Sequence, residues 1–217
     1  MPLLRALGER LDVLLLSHRD NDHAGGASAV MAVQRGAALL SSIEEGHSLQ
    51  AERTAMRCQA GQQWQWDGVH FELLHPLATD YASARDTNAL SCVLRVRAPD
   101  GVAALLPGDI GTAQERALAA RHDDLRAHVL LAPHHGSRSS SSPALLDAVQ
   151  PRLVLIQSGY RNRFGHPATD VLARYAARGT KVVDSPHCGA MHWRSTHPEG
   201  ARCERDEARR YWHHRLP

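Results

Sequence analysis

The sequence predicts a mixed α/β protein, because short apolar runs alternate with polar loops and helix-like stretches along most of the chain. Two hairpin signals come first, at Asp67-Gly68 and at residues 98–101. Strand–loop–helix units follow from about residue 103 onward. Hairpins followed by such units are typical of an α/β sandwich whose active loops lie along one edge of the sheets.

The apolar runs and their flanking turn residues place the individual elements. We expect strands at 11–17, 37–41, 64–66, 69–74, 90–96, 102–106, 128–132, 152–157, 181–183 and 190–193. We expect helices at 27–35, 112–121, 143–149 and 169–177, with residues 44–63 irregular and partly helical. The serine run at 137–142 is interpreted as a loop at the rim of a site, with hydroxyls that either bind phosphates or keep the loop soluble.

Composition describes one ordinary soluble domain spanning 1–217, with 43% hydrophobic and 22% charged residues. No apolar stretch approaches the roughly 18 residues of a membrane span. The net charge of +2 does not by itself indicate a nucleic-acid partner. Only 5% of the residues are aromatic, which predicts little surface for stacking single-stranded bases.

The four cysteines, Cys58, Cys92, Cys188 and Cys203, show no C-x-x-C spacing. A zinc ribbon or a thioredoxin-like site is therefore not supported. Two alternatives stay open: a disulfide between Cys58 and either Cys188 or Cys203 in an oxidising compartment, or unpaired structural thiols.

The segment from Ser17 to Gly26 carries the strongest functional signal. His18, Asp20, Asp22 and His23 follow directly after the apolar run 11–16. Two imidazoles and two carboxylates so close together are hard to satisfy with hydrogen bonds alone, and a pair of divalent metal ions explains them. The alternative is a polar turn in which Asp22 is the N-cap of a helix.

Three further predicted strands end in residues that can bind metals or phosphates. Asp109 follows the strand at 102–106, and His134 and His135 follow the strand at 128–132. A loop with His166, Arg161 and Arg163 follows the strand at 152–157. Because the carboxyl ends of strands in α/β sheets gather ligands, their joint occurrence predicts one metal-dependent site. The arginines, together with Arg138, either contact phosphates or are solvated loop charges.

At these residues the chain resembles the metallo-β-lactamase superfamily. More narrowly, it resembles the C-terminal hydrolase domain of ComEC-type DNA-uptake competence proteins. The resemblance covers essentially the whole chain and rests on the segments 2–8, 17–26, 87–91, 107–109, 134–137, 162–167 and 211–212. It implies a metallo-β-lactamase-like αββα sandwich. Since only sixteen residues precede Ser17, we expect that sandwich to lack its first strands.

The resemblance also implies roles for individual residues. His18 and Asp20 would hold one ion, Asp22 and His23 the other, and Asp109 would bridge them, with His134 as a further ligand. Candidate catalytic residues are Asp22 and His135. Candidate substrate-binding residues are Asn88, Ser137, Arg163 and His166. Asn88 stands where many superfamily members have a histidine, and His166 is either a late ligand or a phosphate-binding group.

Asp20 departs from the commonest superfamily pattern, which has a histidine at this position. A carboxylate makes the site harder, which favours Mn²⁺ or Mg²⁺ over Zn²⁺. We expect two divalent ions, with Mn²⁺ as the working metal and Zn²⁺ or Mg²⁺ as the alternatives, and no small organic cofactor.

The function implied is a DNase that degrades the non-transported strand during natural transformation. Its partners would be single-stranded DNA and, in the intact protein, a membrane channel portion of the same chain, with this domain on the outer (periplasmic) face of the cytoplasmic membrane. The alternatives are a metallo-hydrolase of a small ester, amide or thioester, and a non-catalytic truncated remnant.

Overall fold

The computed structural model describes residues 2–84 and 86–209, which form two compact units. The first unit contains the chain up to residue 62 and residues 73–93, and the second contains residues 63–72 and the chain from residue 94. Within the described residues, no helix has the length and apolar character needed to cross a membrane. Tyr211 and Trp212, which contribute to the family resemblance, lie outside the described residues.

The first unit is built on a three-stranded parallel sheet in the order β1-β2-β3. Its strands are β1 (Val13–Leu16), β2 (Ala38–Ser41) and β3 (Ala55–Arg57). Its helices are α1 (Pro2–Leu7), α2 (Asn21–Ala24), α3 (Ala27–Val33), α4 (Ser48–Glu52) and α5 (Asp80–Ser83). The predicted strands at 11–17 and 37–41 and the predicted helix at 27–35 are confirmed.

A small apolar core joins this sheet to α2, α3 and α4. Its buried members are Leu16, Ala24, Ala27, Met31, Leu39, Ile43 and Leu49. The alanines leave room for the two short helices to pack closely on the sheet. A Cβ on Gly25 would lie 2.5 Å from the carbonyl oxygen of Asn21, so only glycine permits the close junction between α2 and α3. The core therefore fixes where the chain leaves β1, and this is where the predicted ligands lie.

The second unit is built on a seven-stranded sheet in the order β10-β9-β8-β7-β6-β5-β4. Its strands are β4 (Gln63–Trp66), β5 (Val69–His75), β6 (Val93–Arg97), β7 (Ala103–Leu106), β8 (Val129–Leu131), β9 (Leu153–Ile156) and β10 (Lys181–Asp184), of which residues 73–75 of β5 and Val93 of β6 belong to the first unit. Its helices are α6 (Thr112–Arg121), α7 (Pro143–Val149), α8 (Thr169–Ala176), α9 (Ser185–Cys188) and α10 (Glu204–Glu207). Strands β11 (Met191–His192) and β12 (Arg202–Cys203) form a separate hairpin.

The direction of the strands follows the sequence pattern. Both predicted hairpins are present, since β4 pairs antiparallel with β5 and β6 with β7. Strands β7 to β10 are parallel neighbours. Leu153, Val154 and Ile156 of β9 are fully buried, as expected for a parallel strand covered on both faces. The α/β fold class is confirmed.

The predicted strand at 190–193 is present as β11, but it lies outside the large sheet. Strand β11 pairs with β12 in a two-stranded sheet, and β10 is the last strand of the large sheet. A disulfide between Cys188 and Cys203 ties the ends of this small hairpin together, at a sequence separation of 15 residues. The hairpin is therefore held covalently rather than by pairing with the large sheet.

The predicted pairing of Cys58 with Cys188 or Cys203 is wrong. Cys58 bonds to Cys92, at a separation of 34 residues, and no free cysteine occurs among the described residues. Both partners are buried in the first unit. Sequence spacing alone cannot decide between connectivities, because the distance between two cysteines depends on the tertiary structure.

We expect the double substitution Cys58→Ala/Cys92→Ala to lower the free energy of unfolding by about 4 kcal/mol, because the open loop regains entropy in the unfolded chain. Urea denaturation followed by circular dichroism measures this loss. The matched control, Cys188→Ala/Cys203→Ala, opens a shorter loop and should cost about 3 kcal/mol. An unchanged denaturation midpoint for the first variant would contradict the expectation.

Candidate functional site

The first group of predicted ligands lies in the turn after β1. Asp20 occupies the N-cap position of α2, but its side chain makes no capping bond to that helix. Instead, its Oδ1 accepts a hydrogen bond of 2.8 Å from the hydroxyl of Thr87. The alternative interpretation, with Asp22 as an N-cap, is therefore wrong, because Asp22 lies inside the first turn of α2.

The imidazoles of this turn lie side by side, each next to a carboxylate. His18 Nε2 is 3.8 Å from an Asp20 oxygen, and His23 Nε2 is 3.9 Å from an Asp22 oxygen. The hydroxyl of Ser17 lies 3.0 Å from Nδ1 of both rings. Hydrogen bonding at Nδ1 orients a ring so that Nε2 can serve as a ligand, and a single serine does this for both histidines.

The segment around residues 87–91 supports this turn from the other side. The hydroxyl of Ser91 lies 3.3 Å from His18 Nδ1, and the backbone N–H of Cys92 donates to the Ser17 carbonyl at 2.9 Å. Ser17, Thr87 and Ser91 contact the candidate ligands, and sequence reasoning gave them no role. The signal was present, since all three belong to the segments that carry the family resemblance.

Asn88 begins a short 3₁₀ turn, Asn88–Leu90, in the same segment. Its backbone N–H bonds to the side chain of Asp86 at 3.1 Å. Its Oδ1 is buried and has no hydrogen-bond partner among residues 2–84 and 86–209. A substrate-binding role for Asn88 stays a prediction.

A cavity of about 140 Å³ opens beside His18 within the first unit. Its lining includes Arg19, Arg57 and Tyr81. The Arg57 guanidinium lies 4.6 Å from the centre of the Tyr81 ring, and the Tyr81 hydroxyl donates to the carbonyl of Cys58 at 2.6 Å. Burial raises the pKa of Tyr81 to about 12, so it stays neutral. Two arginines make the cavity suited to an anionic group, although each also pairs with a glutamate.

The second group of predicted ligands lies at the carboxyl ends of β7 and β8. These strands are parallel neighbours, so their ends meet at one edge of the sheet. Asp109 is buried, and its Oδ2 lies 3.9 Å from His134 Nε2 and 3.5 Å from His135 Nε2. Both histidines have left-handed backbone conformations, with φ of 48° and 55°. Such strained residues are typical of functional sites.

The two histidines differ in how they are held. His135 Nδ1 donates to the carbonyl of Gln157 at 2.8 Å, and its Nε2 faces Asp109. This arrangement is characteristic of metal-binding histidines. His134 Nε2 lies slightly farther from the same carboxylate. The assignment of His134 as a metal ligand and of His135 as a catalytic group stays a prediction. The geometry supports His135 as a metal ligand at least as well as it supports His134.

His166 lies beside this group in the second unit, with its ring centre 6.0 Å from that of His134. Burial lowers the pKa of His166, and the nearby His134 and His135 lower it further, so its imidazole is neutral at pH 7. The side chain of Asn162 accepts a hydrogen bond from the His166 backbone at 3.0 Å. Whether His166 binds a metal or a phosphate stays a prediction.

The serine loop differs from its predicted role as a polar rim. Ser140, Ser141 and Ser142 are buried, and the Ser140 hydroxyl donates to the carbonyls of Pro133 and Ser137 at 2.7 and 2.9 Å. The predicted alternatives of phosphate binding or solubility are wrong for these three residues, because their hydroxyls point into the protein. Ser137, predicted to bind substrate, has its hydroxyl 3.1 Å from that of Ser139.

A buried glutamate, which sequence reasoning missed, anchors this loop. The two carboxylate oxygens of Glu115 accept the backbone N–H groups of Ser141 and Ser142 at 2.6 and 2.7 Å. Burial raises the pKa of Glu115, while these hydrogen bonds and the nearby Arg174 oppose the rise. No sequence signal distinguishes this glutamate from the other polar residues of α6.

The donor sets of both units fit divalent cations. Atoms that each lie about 2.0–2.2 Å from one ion are about 3–4 Å apart, which matches the imidazole–carboxylate distances of the four pairs. In the first unit, Asp22 and His23 each offer a ligand atom, and these two atoms lie within 4.8 Å of each other. The same holds for Asp109 and His135 in the second unit. Mixed imidazole and carboxylate donors suit Zn²⁺ and Mn²⁺.

The chain is similar in sequence to several curated bacterial proteins, including a competence protein. It is 41% identical over 197 residues, 89% of its length, to competence protein ComA of Neisseria gonorrhoeae, of which it covers 27%. The chain spans about a quarter of the length of the curated relatives it matches. No protein-family model matches the chain.

Solved structures also match. CmlA, a diiron β-hydroxylase from Streptomyces venezuelae, aligns with a TM-score of 0.52 at 15% identity, over 81% of this chain and 44% of that one. The metallo-β-lactamase fold protein YhfI from Bacillus subtilis aligns with a TM-score of 0.48 at 10% identity, over 84% of this chain and 79% of that one. At these identities the matches concern the fold alone.

The segments that carry the family resemblance form both ligand sets, and the match to the competence protein extends over nearly the whole chain. The chain therefore belongs to the metallo-β-lactamase superfamily and is a domain of the type found in ComEC-like competence proteins.

Proposed function

We propose that this chain is a metal-dependent hydrolase of DNA phosphodiester bonds. The observation that carries the proposal is the set of imidazole–carboxylate pairs at the ends of β1, β7 and β8, each spaced as ligands of a divalent ion. The similarity to a relative named as a competence protein supports DNA as the substrate.

We propose two ions, with the ligand roles that the resemblance implies. His18 and Asp20 would hold one ion, Asp22 and His23 would hold the other, and Asp109 would serve both. His134 or His135 completes the set, and the hydrogen bond from His135 to Gln157 favours His135. When bound, two divalent ions supply Lewis-acid stabilisation of the charge that develops on the phosphate oxygens.

The residues of the chain keep these ligands in place. Ser17 orients both imidazoles of the first turn, and Thr87 fixes the carboxylate of Asp20. Asp22 is only partly covered, so its carboxylate can also accept a proton from an attacking water. Preorganisation of this kind lowers the reorganisation needed when substrate binds.

We also propose a place for this activity. In the intact protein, the domain would lie on the outer face of the cytoplasmic membrane, next to a channel portion of the same chain, and degrade the strand that is not transported. The two disulfides support this placement, because disulfides persist in oxidising compartments.

Digestion of linear single- and double-stranded DNA by the purified chain tests the proposal, with Mn²⁺, Mg²⁺ or Zn²⁺ added in turn. Cleavage that disappears with EDTA and returns with one of the ions is the expected result. A folded protein that binds the ions yet cleaves only small esters, amides or thioesters would replace DNA with a small substrate. A folded protein that binds no ion would indicate that the chain is a non-catalytic remnant.

The identity of the ion gives a separate prediction. Because Asp20 supplies an oxygen donor, we expect Mn²⁺ to support higher activity than Zn²⁺. The substitution Asp20→His should shift the ratio of the Mn²⁺ and Zn²⁺ dissociation constants toward Zn²⁺, by about tenfold or more, since an imidazole is the softer ligand. Isothermal titration calorimetry measures both constants. Strong activity with Zn²⁺ and none with Mn²⁺ in the native chain would contradict the prediction.

A further inference from the structure

The loop at residues 158–167, which follows β9 in the second unit, is held in a defined shape by one side chain. The side-chain amide of Asn162 donates to the carbonyls of Gly159 and His166, and its Oδ1 accepts the backbone N–H of His166. Its three hydrogen bonds close the loop on itself. The residues between Gly159 and His166 are therefore presented in a fixed arrangement rather than left to move independently.

Two aromatic side chains of this loop face solvent. Phe164 is 66% exposed and Tyr160 is 44% exposed. Large apolar rings are normally covered, so two exposed rings in one structured loop point to a surface that binds something. The low overall aromatic content of the chain therefore does not mean that stacking surface is lacking, because two exposed rings lie in this one loop.

Each ring carries an arginine. The guanidinium of Arg161 lies 5.2 Å from the centre of the Tyr160 ring, and that of Arg163 lies 4.8 Å from the centre of the Phe164 ring. Both arginines are exposed, and neither has a carboxylate within ion-pair distance among the residues that the structure describes. The loop thus presents positive charge that the rest of the unit does not neutralise.

The exposed Phe164 ring lies next to the candidate metal ligands of the same unit. The Phe164 ring stacks on the His166 ring, with centres 5.7 Å apart and planes inclined by 21°. The His166 ring lies 6.0 Å from that of His134, which in turn faces Asp109. A ligand lying on Phe164 would therefore extend toward the carboxylate that we propose as a metal ligand.

We propose that Tyr160 and Phe164, with Arg161 and Arg163, form a platform that stacks the bases and neutralises the backbone of single-stranded DNA. This inference rests on the proposed function and specifies the substrate as a single strand. Aromatic faces stack on any base, and unpaired guanidinium groups bind phosphates. A duplex covers the faces of its bases, so the platform selects unpaired strands.

Binding to the metal-free chain tests the platform without requiring catalysis. Fluorescence anisotropy in EDTA would compare a labelled thymidine oligonucleotide of about 16 nucleotides with an abasic strand of the same length. We expect Phe164→Ala to weaken binding of the thymidine strand about tenfold and to leave the abasic strand within about twofold. Phe164→Trp should retain binding, and Phe164→Leu should lose as much as Phe164→Ala, because leucine keeps the apolar character but has no aromatic face.

Two further variants test the contribution of the arginines and the location of the binding surface. Arg163→Ala should reduce the slope of log affinity against log salt by about 0.7, the value for one phosphate contact on a single strand. Trp66→Ala removes an exposed aromatic ring, 43% exposed, on the hairpin β4–β5, and it should bind the thymidine strand as the native chain does. Melting temperatures of all variants confirm that they are folded.

Three outcomes would overturn the platform: an equal loss for the abasic strand, native binding by Phe164→Leu, or an equal loss for Trp66→Ala. Phe164-dependent binding to vesicles of equal parts phosphatidylcholine and phosphatidylserine, with no binding to the oligonucleotide, would also overturn it in favour of a lipid surface. Stacking without metal-dependent cleavage would support the platform while the proposed function fails. Cleavage of DNA that is unchanged by Phe164→Ala would support the proposed function and contradict the platform.

Discussion

Replacing Asp109 with asparagine is expected to lower metal-dependent DNA cleavage at least about a hundredfold while the chain stays folded. The carboxylate is buried at the carboxyl end of β7 and faces the Nε2 atoms of His134 and His135. Loss of residues that merely orient ligands already costs about 10- to 100-fold in metal affinity or activity, so loss of a ligand should cost at least as much. Asparagine keeps the shape of the side chain but removes its charge.

Two measurements separate this effect from unfolding. Calorimetric titration with Mn²⁺ should show weaker or fewer bound ions, and the thermal midpoint without metal should stay near that of the native chain. Asp67→Asn is the matched control, because Asp67 is an exposed residue in the turn between β4 and β5. Native cleavage and native metal binding by Asp109→Asn would remove Asp109 from the proposed site.

Substitution of Glu115 by alanine is expected to lower the free energy of unfolding by about 2 to 6 kcal/mol. Glu115 is 0% exposed and accepts two backbone N–H groups, and each buried donor left without a partner costs about 1–3 kcal/mol. Glu115→Gln should also destabilise, because the glutamine amide can accept one of the two N–H groups but directs its own donor at the other. Denaturant unfolding gives both values.

The raised pKa of Glu115 also predicts how its contribution to stability changes with pH. Burial raises the pKa of Glu115 above its ordinary value of 4.5, so the folded chain binds this proton more tightly than the unfolded chain does. The contribution of Glu115 to stability is therefore largest below pH 4.5 and falls as the pH rises through the folded-state pKa. The difference in stability between the native chain and Glu115→Gln should decrease across that window. A difference that grows with rising pH would contradict the assigned direction.

The exposed Arg116 on the same helix provides the control for both measurements. Arg116→Ala should change the free energy of unfolding by less than about 0.5 kcal/mol and should not alter its pH dependence through Glu115. Equal losses for Arg116→Ala and Glu115→Ala would assign the effect to helix α6 as a whole rather than to the anchor of the serine loop.

Hydrophobic pattern was enough to predict most of the fold. The run at 152–157 appears as β9, with Leu153, Val154 and Ile156 fully buried, because a strand covered on both faces needs an uninterrupted apolar run. The turn Asp67-Gly68 forms the predicted hairpin, because both residues adopt the positive φ that such a turn requires. The helix at 143–149 has its predicted bounds, with Ser142 as its N-cap.

The same local reasoning failed where partners are distant in sequence. The Cys58–Cys92 pairing, the contact of Ser141 with Tyr175 and the anchoring role of Glu115 all depend on contacts across 26 or more residues. A serine has the same sequence signature whether its hydroxyl faces water or a buried carbonyl. The aromatic platform was missed for a related reason, because composition counts rings without saying where they lie.

The sequence by itself determined the α/β class, the superfamily and which imidazoles and carboxylates are candidates, because periodicity, turn chemistry and motif spacing are local properties of the chain. The tertiary structure decided which hydroxyl holds the carboxylate of Asp20, which carbonyl holds the ring of His135, and which glutamate holds the serine loop. These roles are set by hydrogen bonds between segments that only folding brings within 3 Å or so of each other.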